Sequence, residues 1–180
     1  MKIYKETERL QLREIHPTDV EGILKLDTDP EVHRYLGNSP IKTKEEALAA
    51  IQYIRQQYQD NGIGRWAVIN KSTNEFIGWS GLKLIKEKTN NHINYYDLGY
   101  RFQQEHWGKG YATETAIASL DYAFNNLNIN EVHAIVDCEN KGSNNVLQKV
   151  GLQYIETFEL DGTPHNWYTI TKTQYNNLKF

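Results

Sequence analysis

Gly108, Lys109 and Gly110 lie within the stretch from Gln103 to Thr115, and their types and spacing suit the handling of a phosphorylated ligand. Two glycines one residue apart let the backbone turn through positive φ and let a ligand approach the main chain closely. The amphipathic pattern that follows, to about Phe124, predicts a helix. Its first N–H groups and the positive end of its dipole both suit phosphate. Lys109 adds a charge without obstructing that backbone. The implied object is a pyrophosphate cradle; a strand-to-helix turn that binds nothing is the competing reading. No Gly-x-x-x-x-Gly-Lys-Ser/Thr string occurs in the chain. A dinucleotide fingerprint would need Gly or Ala where Thr113 stands. The ligand expected here is therefore a different pyrophosphate compound.

Other reactive side chains are less organised. Cys138 is the only cysteine, and a lone strand cysteine reads as a small core residue. The six histidines show no metal-ligand spacing, and only His106 stands beside the loop. Tyr95, Tyr96, Tyr100 and Tyr111 crowd the region before and after it, where tyrosines ordinarily pack with one polar tip exposed. Asn140, Gly142 and Ser143 have the residue types of a turn and helix cap.

The elements that must carry these residues follow from periodicity. Arg9 to Ile15 alternates polar and apolar, predicting a strand with Leu10 and Leu12 on one face. Pro17 opens a short helix with Val20, Ile23, Leu24 and Leu26, and Asp29-Pro30-Glu31-Val32 restarts a helical turn that stops by Gly37. Thr43 and Glu46 form a capping box for a helix carrying Ala47, Leu48, Ile51 and Ile54 and ending near Gly62. Arg65 to Ile69 and Glu75 to Trp79 predict a hairpin, with Gly78 and Gly81 as bulge or close-approach sites. A strand is expected over Ile93 to Phe102, another over Val132 to Cys138, a helix over Ser143 to Val150, and a final strand pair at Leu152 to Leu160 and Trp167 to Thr171. The result is a mixed α/β domain with helices on a mostly antiparallel sheet.

Composition sets limits. A length of 180 residues suits one domain spanning the chain, 1–180. A net charge of −3 and pI near 6.1 argue against a general nucleic-acid binder. One cysteine is consistent with a reducing compartment. Residues 1–20 lack the apolar core of a signal peptide, and no run approaches the roughly 18 apolar residues of a membrane helix. A soluble, cytoplasmic protein is expected.

Four pieces then carry a resemblance, in order along the chain: Glu8 to Arg13, Asp97 to Tyr100, Trp107 to Glu114, and Asn140 to Ser143 continued to Gly151-Leu152. The order of strands, helices and glycine loop resembles the GNAT superfamily of acetyl-CoA-dependent N-acetyltransferases. Within it the chain looks most like the branch with the RimJ and RimL types of ribosomal-protein N-terminal acetyltransferase. The resemblance implies a GNAT-like α/β fold with helices on both faces of the sheet and a splayed strand pair at the cofactor.

The same resemblance implies site residues. It sets the pyrophosphate of acetyl-CoA on the amides of Gly108, Lys109, Gly110, Tyr111, Ala112 and Thr113, and pantetheine along Tyr100, Arg101 and Phe102, paired like an added strand. Glu105 departs from the family's Arg or Gln at that position, and Lys109 is expected to offset it. Asn140 would hold pantetheine, Ser143 would stand near the sulfur, and Asn145 would reach the same ligand or lie on a solvated helix face. The implied chemistry is direct acetyl transfer to a neutral amine, without a metal. Asp97 is the expected base, directly or through water, and the Tyr100 amide a donor to the developing oxyanion. The expected acceptor is a protein or peptide N-terminal amine, such as a ribosomal or other protein N-terminus. The alternatives are a small amine such as a polyamine or amino sugar, or a noncatalytic acyl-CoA sensor. No nucleic-acid or membrane partner is expected, and the assembly is a monomer or homodimer.

Overall fold

The computed structural model describes residues 1–178. It contains one eight-stranded sheet: β1 (Ile3–Glu6), β2 (Leu10–Glu14), β3 (Arg65–Asn70), β4 (Glu75–Ile85), β5 (Tyr95–Phe102), β6 (Glu131–Asp137), β7 (Gln153–Leu160) and β8 (Thr163–Thr171). The strand order is β1-β2-β3-β4-β5-β6-β8-β7. Neighbours run antiparallel throughout except β5 and β6, which are parallel.

Helices cover both faces. On one lie α1 (Val20–Asp27), α2 (Pro30–His33) and α3 (Lys44–Asn61). Pro17 opens a 3-10 turn that leads into α1. The capping box at α3 is present: the Glu46 amide donates to Thr43 Oγ1 at 3.2 Å and the Thr43 amide to Glu46 Oε2 at 3.0 Å. Gly62 ends the helix at φ 69°. Ala47 and Ile51 pack with Ile15, Val20, Ile23, Ala67 and Ile69. Leu48, expected in the same stripe, is 40% exposed, because position 48 lies about 100° round the helix from 47.

On the other face lie α4 (Tyr111–Asp121) and α5 (Lys141–Lys149). Their apolar residues join the larger core with Leu10, Leu12, Trp66, Leu98, Phe102, Val132 and Tyr168. Burying each Leu, Val or Phe of this core stabilises the fold by about 1.5–3 kcal/mol. α4 continues into a π turn over Tyr122–Asn126.

Several expected boundaries move. β5 begins at Tyr95 rather than Ile93, because Asn90, Asn91 and Asn94 take positive φ values of 45°, 64° and 55°, which a pleated strand does not accommodate. The last strand pair is longer than expected, and Cys138 falls just beyond β6, half-buried, with its thiol donating to Asn166 Oδ1. β1 and α6 (Lys172–Asn176) are additional elements.

Two features shape the centre of the sheet. At Gly78 the β3–β4 register slips, and a Cβ there would meet the Arg101 carbonyl at 2.2 Å. That close approach lets β5 lie flush against β4 just before the glycine loop. β5 and β6 share a single register pair among the described residues, Asp97 with His133. Their C-terminal halves are thus not held to each other, leaving main-chain groups on the β6 side of β5 open for an added strand-like ligand.

Gly78→Ala is expected to lower stability by about 1–3 kcal/mol, the usual range for overpacking. A thermal melt checks this; an unchanged midpoint would show that the β4–β5 contact relaxes without cost.

Candidate active site

Gly108 and Gly110 both adopt left-handed backbone, at φ 72° and 80°, the conformation glycine tolerates best. Gly110 is the cap residue of α4, and no described side chain caps that helix end. The first amides of α4, at Tyr111, Ala112 and Thr113, have no carbonyl one turn earlier within the helix to bond. An uncapped helix start behind a glycine loop fits a pyrophosphate by charge and by donor supply. The loop is anchored from below: Trp107 Nε1 donates to the Phe102 carbonyl at 2.8 Å.

Glu105 is not left facing the loop unpaired. Lys25 of α1 donates to its Oε1 at 2.7 Å, and that bond, then the lysine's charge, lowers the Glu105 carboxyl below its ordinary value despite slight desolvation. Lys109, expected to offset Glu105, contributes charge only at longer range. His106 stands beside Glu105 at 3.4 Å, and burial, helped by the Lys109 charge, lowers its pKa and favours the neutral ring.

On the α4–α5 face of β5, Tyr100 reaches α5. Its hydroxyl lies 3.0 Å from Ser143 Oγ and donates to the Ser143 carbonyl at 3.2 Å. Burial raises the Tyr100 pKa far above the usual tyrosine value, against the opposing bond with Ser143, so the phenol keeps its proton. Asn140 is the cap of α5, its Oδ1 accepting the Ser143 amide at 3.1 Å. Its Nδ2 remains a donor for a ligand. Asn145 is exposed on the same helix. The neighbouring Asn144 is buried and fully engaged: Nδ2 donates to the carbonyls of Asp137 and Asn140, and Oδ1 accepts from Asn166 and Tyr168. It fastens α5 to β6 and β8.

Asp97 and Arg101 lie on the opposite face of β5, toward α1 and α3. Arg65 bonds Asp97 Oδ2 and also donates to the carbonyls of Asp97 at 2.7 Å and Gly81 at 2.5 Å. No described group bonds Asp97 Oδ1. Removal from water raises the Asp97 carboxyl above the ordinary carboxylate range, while Arg65 and, more weakly, Lys83 and His133 oppose the shift. Arg101 donates to Asp27 Oδ1 at 2.6 Å and packs over Trp79 at 5.0 Å from the ring centroid. His33 Nε2 stands 3.5 Å from the same Asp27 oxygen. Burial, then the Arg101 charge, lowers the His33 pKa, favouring the neutral ring against the pull of Asp27.

The structure thus brings the loop, Tyr100, Asn140 and Ser143 to one side of the splay, and Asp97 and Arg101 to the other. Arg65, Asp27 and His33 complete the second group. The signal for Arg65 was in the sequence: a charge in a strand otherwise apolar through Ile69 needs a partner. Which partner was not readable, since Asp97 is 32 residues away. Among the described residues no cluster suits a metal ion.

A glycine loop feeding an uncapped helix beside a splayed parallel pair defines an acyl-CoA-binding site of the acetyltransferase kind. The chain matches the Acetyltransferase (GNAT) domain over residues 9–153. It is 32% identical over 173 residues to the uncharacterized N-acetyltransferase YoaA of Bacillus subtilis (strain 168), covering 93% of this chain and 96% of that protein. The chain belongs to the GNAT acetyltransferases, and is accordingly an N-acetyltransferase that uses acetyl-CoA. It is 27% identical over 146 residues to the spermidine N(1)-acetyltransferase of Escherichia coli (strain K12), covering 79% of this chain and 72% of that one. The structure of RimL, a ribosomal L7/L12 α-N-protein acetyltransferase in complex with coenzyme A, superposes with a TM-score of 0.79 at 18% identity, covering 94% of this chain and 98% of that one.

Two variants test the cofactor side. Gly110→Val puts a branched side chain at φ 80°, a strain of about 1–3 kcal/mol, and obstructs close approach to the loop. Loss of acetyl-CoA binding by calorimetry, with a native circular dichroism spectrum, is expected; normal affinity would make the loop a turn only. Ser143→Ala should lower kcat by about 10²-fold or less. Asn140 rather than Ser143 supplies the helix cap, so the melting temperature should stay near wild type. A lowered melting temperature with full turnover per folded molecule would give Ser143 a structural role alone.

Proposed function

We propose that this enzyme transfers the acetyl group directly to the α-amine of a protein or peptide N-terminus, in the manner of a RimJ/RimL-type enzyme acting in the cytoplasm. The observation that carries this reading is the state of three largely buried carboxylates on the α1–α3 side. Asp97 is held by Arg65, Asp27 by Arg101, and Asp19 by Arg13 through Nη1 and Nη2 at 2.8 and 2.7 Å. A polyamine brings several ammonium groups and calls for free carboxylates. A peptide N-terminus brings one amine, and main-chain groups able to pair with a strand edge. Its pKa of about 8, against roughly 10.4 for a lysine side chain, also leaves less proton to remove near neutrality.

Acetyl-CoA supplies the activated thioester. The residues then divide the work. The loop amides and Asn140 bind, and the open edge of β5 from Tyr100 to Phe102 orients the ligand. The Tyr100 amide donates to the carbonyl oxygen as charge grows on it. Asp97 Oδ1 takes the proton that the amine loses as its nitrogen bonds the acetyl carbon, directly or through one water. Ser143, backed by the Tyr100 hydroxyl, donates toward the departing sulfur. Holding both partners in one cleft supplies the proximity term.

Asp97 works as a carboxylate, so turnover should fall as pH drops through its burial-raised pKa. Asp97→Asn should reduce kcat by about 10²–10⁴-fold and flatten that acid limb. Wild-type-like rates across pH 6–9, roughly bracketing the amine's own pKa, would remove Asp97 from the mechanism. Thiol release with N-terminal peptides, spermidine and an amino sugar, followed by product mass, tests the acceptor. Turnover on peptides is expected; turnover on spermidine alone would favour a small-amine enzyme, and none on any amine a cofactor sensor.

A further inference from the structure

Within the Glu8 to Arg13 segment, the Arg9 side chain reaches the glycine loop. Arg9 lies in the turn between β1 and β2. Its Nε donates to Glu114 Oε2 at 2.7 Å, its Nη2 is ion-paired with the same oxygen at 2.6 Å, and its Nη1 donates to the Lys109 carbonyl at 2.9 Å. The guanidinium also stacks over Tyr111 at 4.5 Å from the ring centroid. Glu114 accepts two further bonds at Oε1, from the Arg9 amide at 3.2 Å and the Thr7 hydroxyl at 2.5 Å. Arg9 Nη2 is also the atom a Cβ on Gly110 would face, at 3.5 Å.

We propose that Arg9 is a positioning residue for acetyl-CoA, holding the Lys109–Gly110 peptide in the orientation the pyrophosphate requires and neutralising Glu114 beside it. In a trans peptide the carbonyl and N–H point in opposite directions. Fixing the Lys109 carbonyl on Arg9 therefore turns the Gly110 N–H away from Arg9, toward the open side of the loop. The second role is electrostatic. Glu114 sits in the first turn of α4, where its charge favours the helix dipole but repels a phosphate bound at the same end. A guanidinium paired directly with that carboxylate removes most of that repulsion. Burial works against the Glu114 charge, but the Thr7 and Arg9 bonds outweigh it and keep the carboxyl ionised below its ordinary value.

This inference rests on acetyl-CoA as the ligand of the loop and is independent of the acceptor. Its test is calorimetric titration of acetyl-CoA into wild type, Arg9→Ala, Glu114→Gln, the double variant and Arg9→Lys. Amide hydrogen exchange at Gly110 and Tyr111 in the ligand-free proteins gives a second readout. Arg9→Ala should raise Kd by about tenfold or more, the scale of a charged hydrogen bond, and quicken exchange at Gly110. In steady state, KM for acetyl-CoA should rise by more than kcat falls. The double variant should bind more tightly than Arg9→Ala alone but less tightly than wild type, because losing the Glu114 charge relieves the uncompensated repulsion while the grip on the Lys109 carbonyl stays lost. Arg9→Lys keeps a charge near Tyr111 without gripping both partners, and should fall between; it also serves if Arg9→Ala fails to fold. Unchanged Kd and exchange in folded Arg9 variants, with Gly110→Val unable to bind, would overturn the positioning role alone. Normal binding by Gly110→Val would overturn the cradle itself.

Discussion

The Arg65 guanidinium is the constraint on which the centre of the molecule depends. It rises from β3, bonds the Gly81 carbonyl of β4, and holds both the carbonyl and the carboxylate of Asp97 on β5. Three strands are thus fixed at the residue where β5 makes its one register pair with β6. Beyond that point β5 is bound on one side only. The pair is largely buried, with 10% and 16% of the two side chains exposed. Removing one partner of such a pair typically costs about 3–5 kcal/mol, chiefly because the other charge is stranded. Gly99 is part of the same arrangement, since a Cβ there would lie 2.6 Å from Arg65 Nη2.

Pleating then divides labour along β5. Tyr96, Leu98, Tyr100 and Phe102 join the core beneath α4 and α5. Asp97 and Arg101 point the other way, into ion pairs with β3 and α1. Each ion pair satisfies a carboxylate that would otherwise be costly to bury. The same alternation separates the two halves of the proposed reaction, with sulfur-side hydroxyls on one face and the proton acceptor on the other, across the thickness of a single strand.

Local signals made much of this readable from the sequence. The Thr43–Glu46 box, the Gly62 stop, the hairpin at residues 65–79 and the glycine loop each depend on neighbours a few positions apart, and each appears in the structure. Gly78 was readable as a close-approach site, though not that the Arg101 carbonyl was what approached. Residues 3–6 show too short a pattern to announce β1, which exists because β2 offers it an edge. Long-range polar contacts were the least legible. Nothing near Arg9 in sequence points to Glu114, and nothing near Asp27 points to Arg101. Asn144, adjacent to the expected Asn145, is distinguished only by the four bonds it makes once α5 packs on β6 and β8.

The chain has four tryptophans, and their environments differ in a way that has an optical consequence. Trp66 and Trp167 are 0% and 1% exposed, and Trp79 is half-buried against two guanidiniums. Trp107, immediately before Gly108, is 46% exposed, with its indole N–H fixed to the Phe102 carbonyl. Its emission is accordingly expected to be the red-shifted, solvent-quenchable component of the intrinsic fluorescence, and it sits beside the loop. A ligand settling on Gly108 and Gly110 changes the water and charge around that indole while leaving the buried pair dark to the event. The protein therefore carries its own chromophore for following occupancy of the loop, one residue from the glycine that makes room for it.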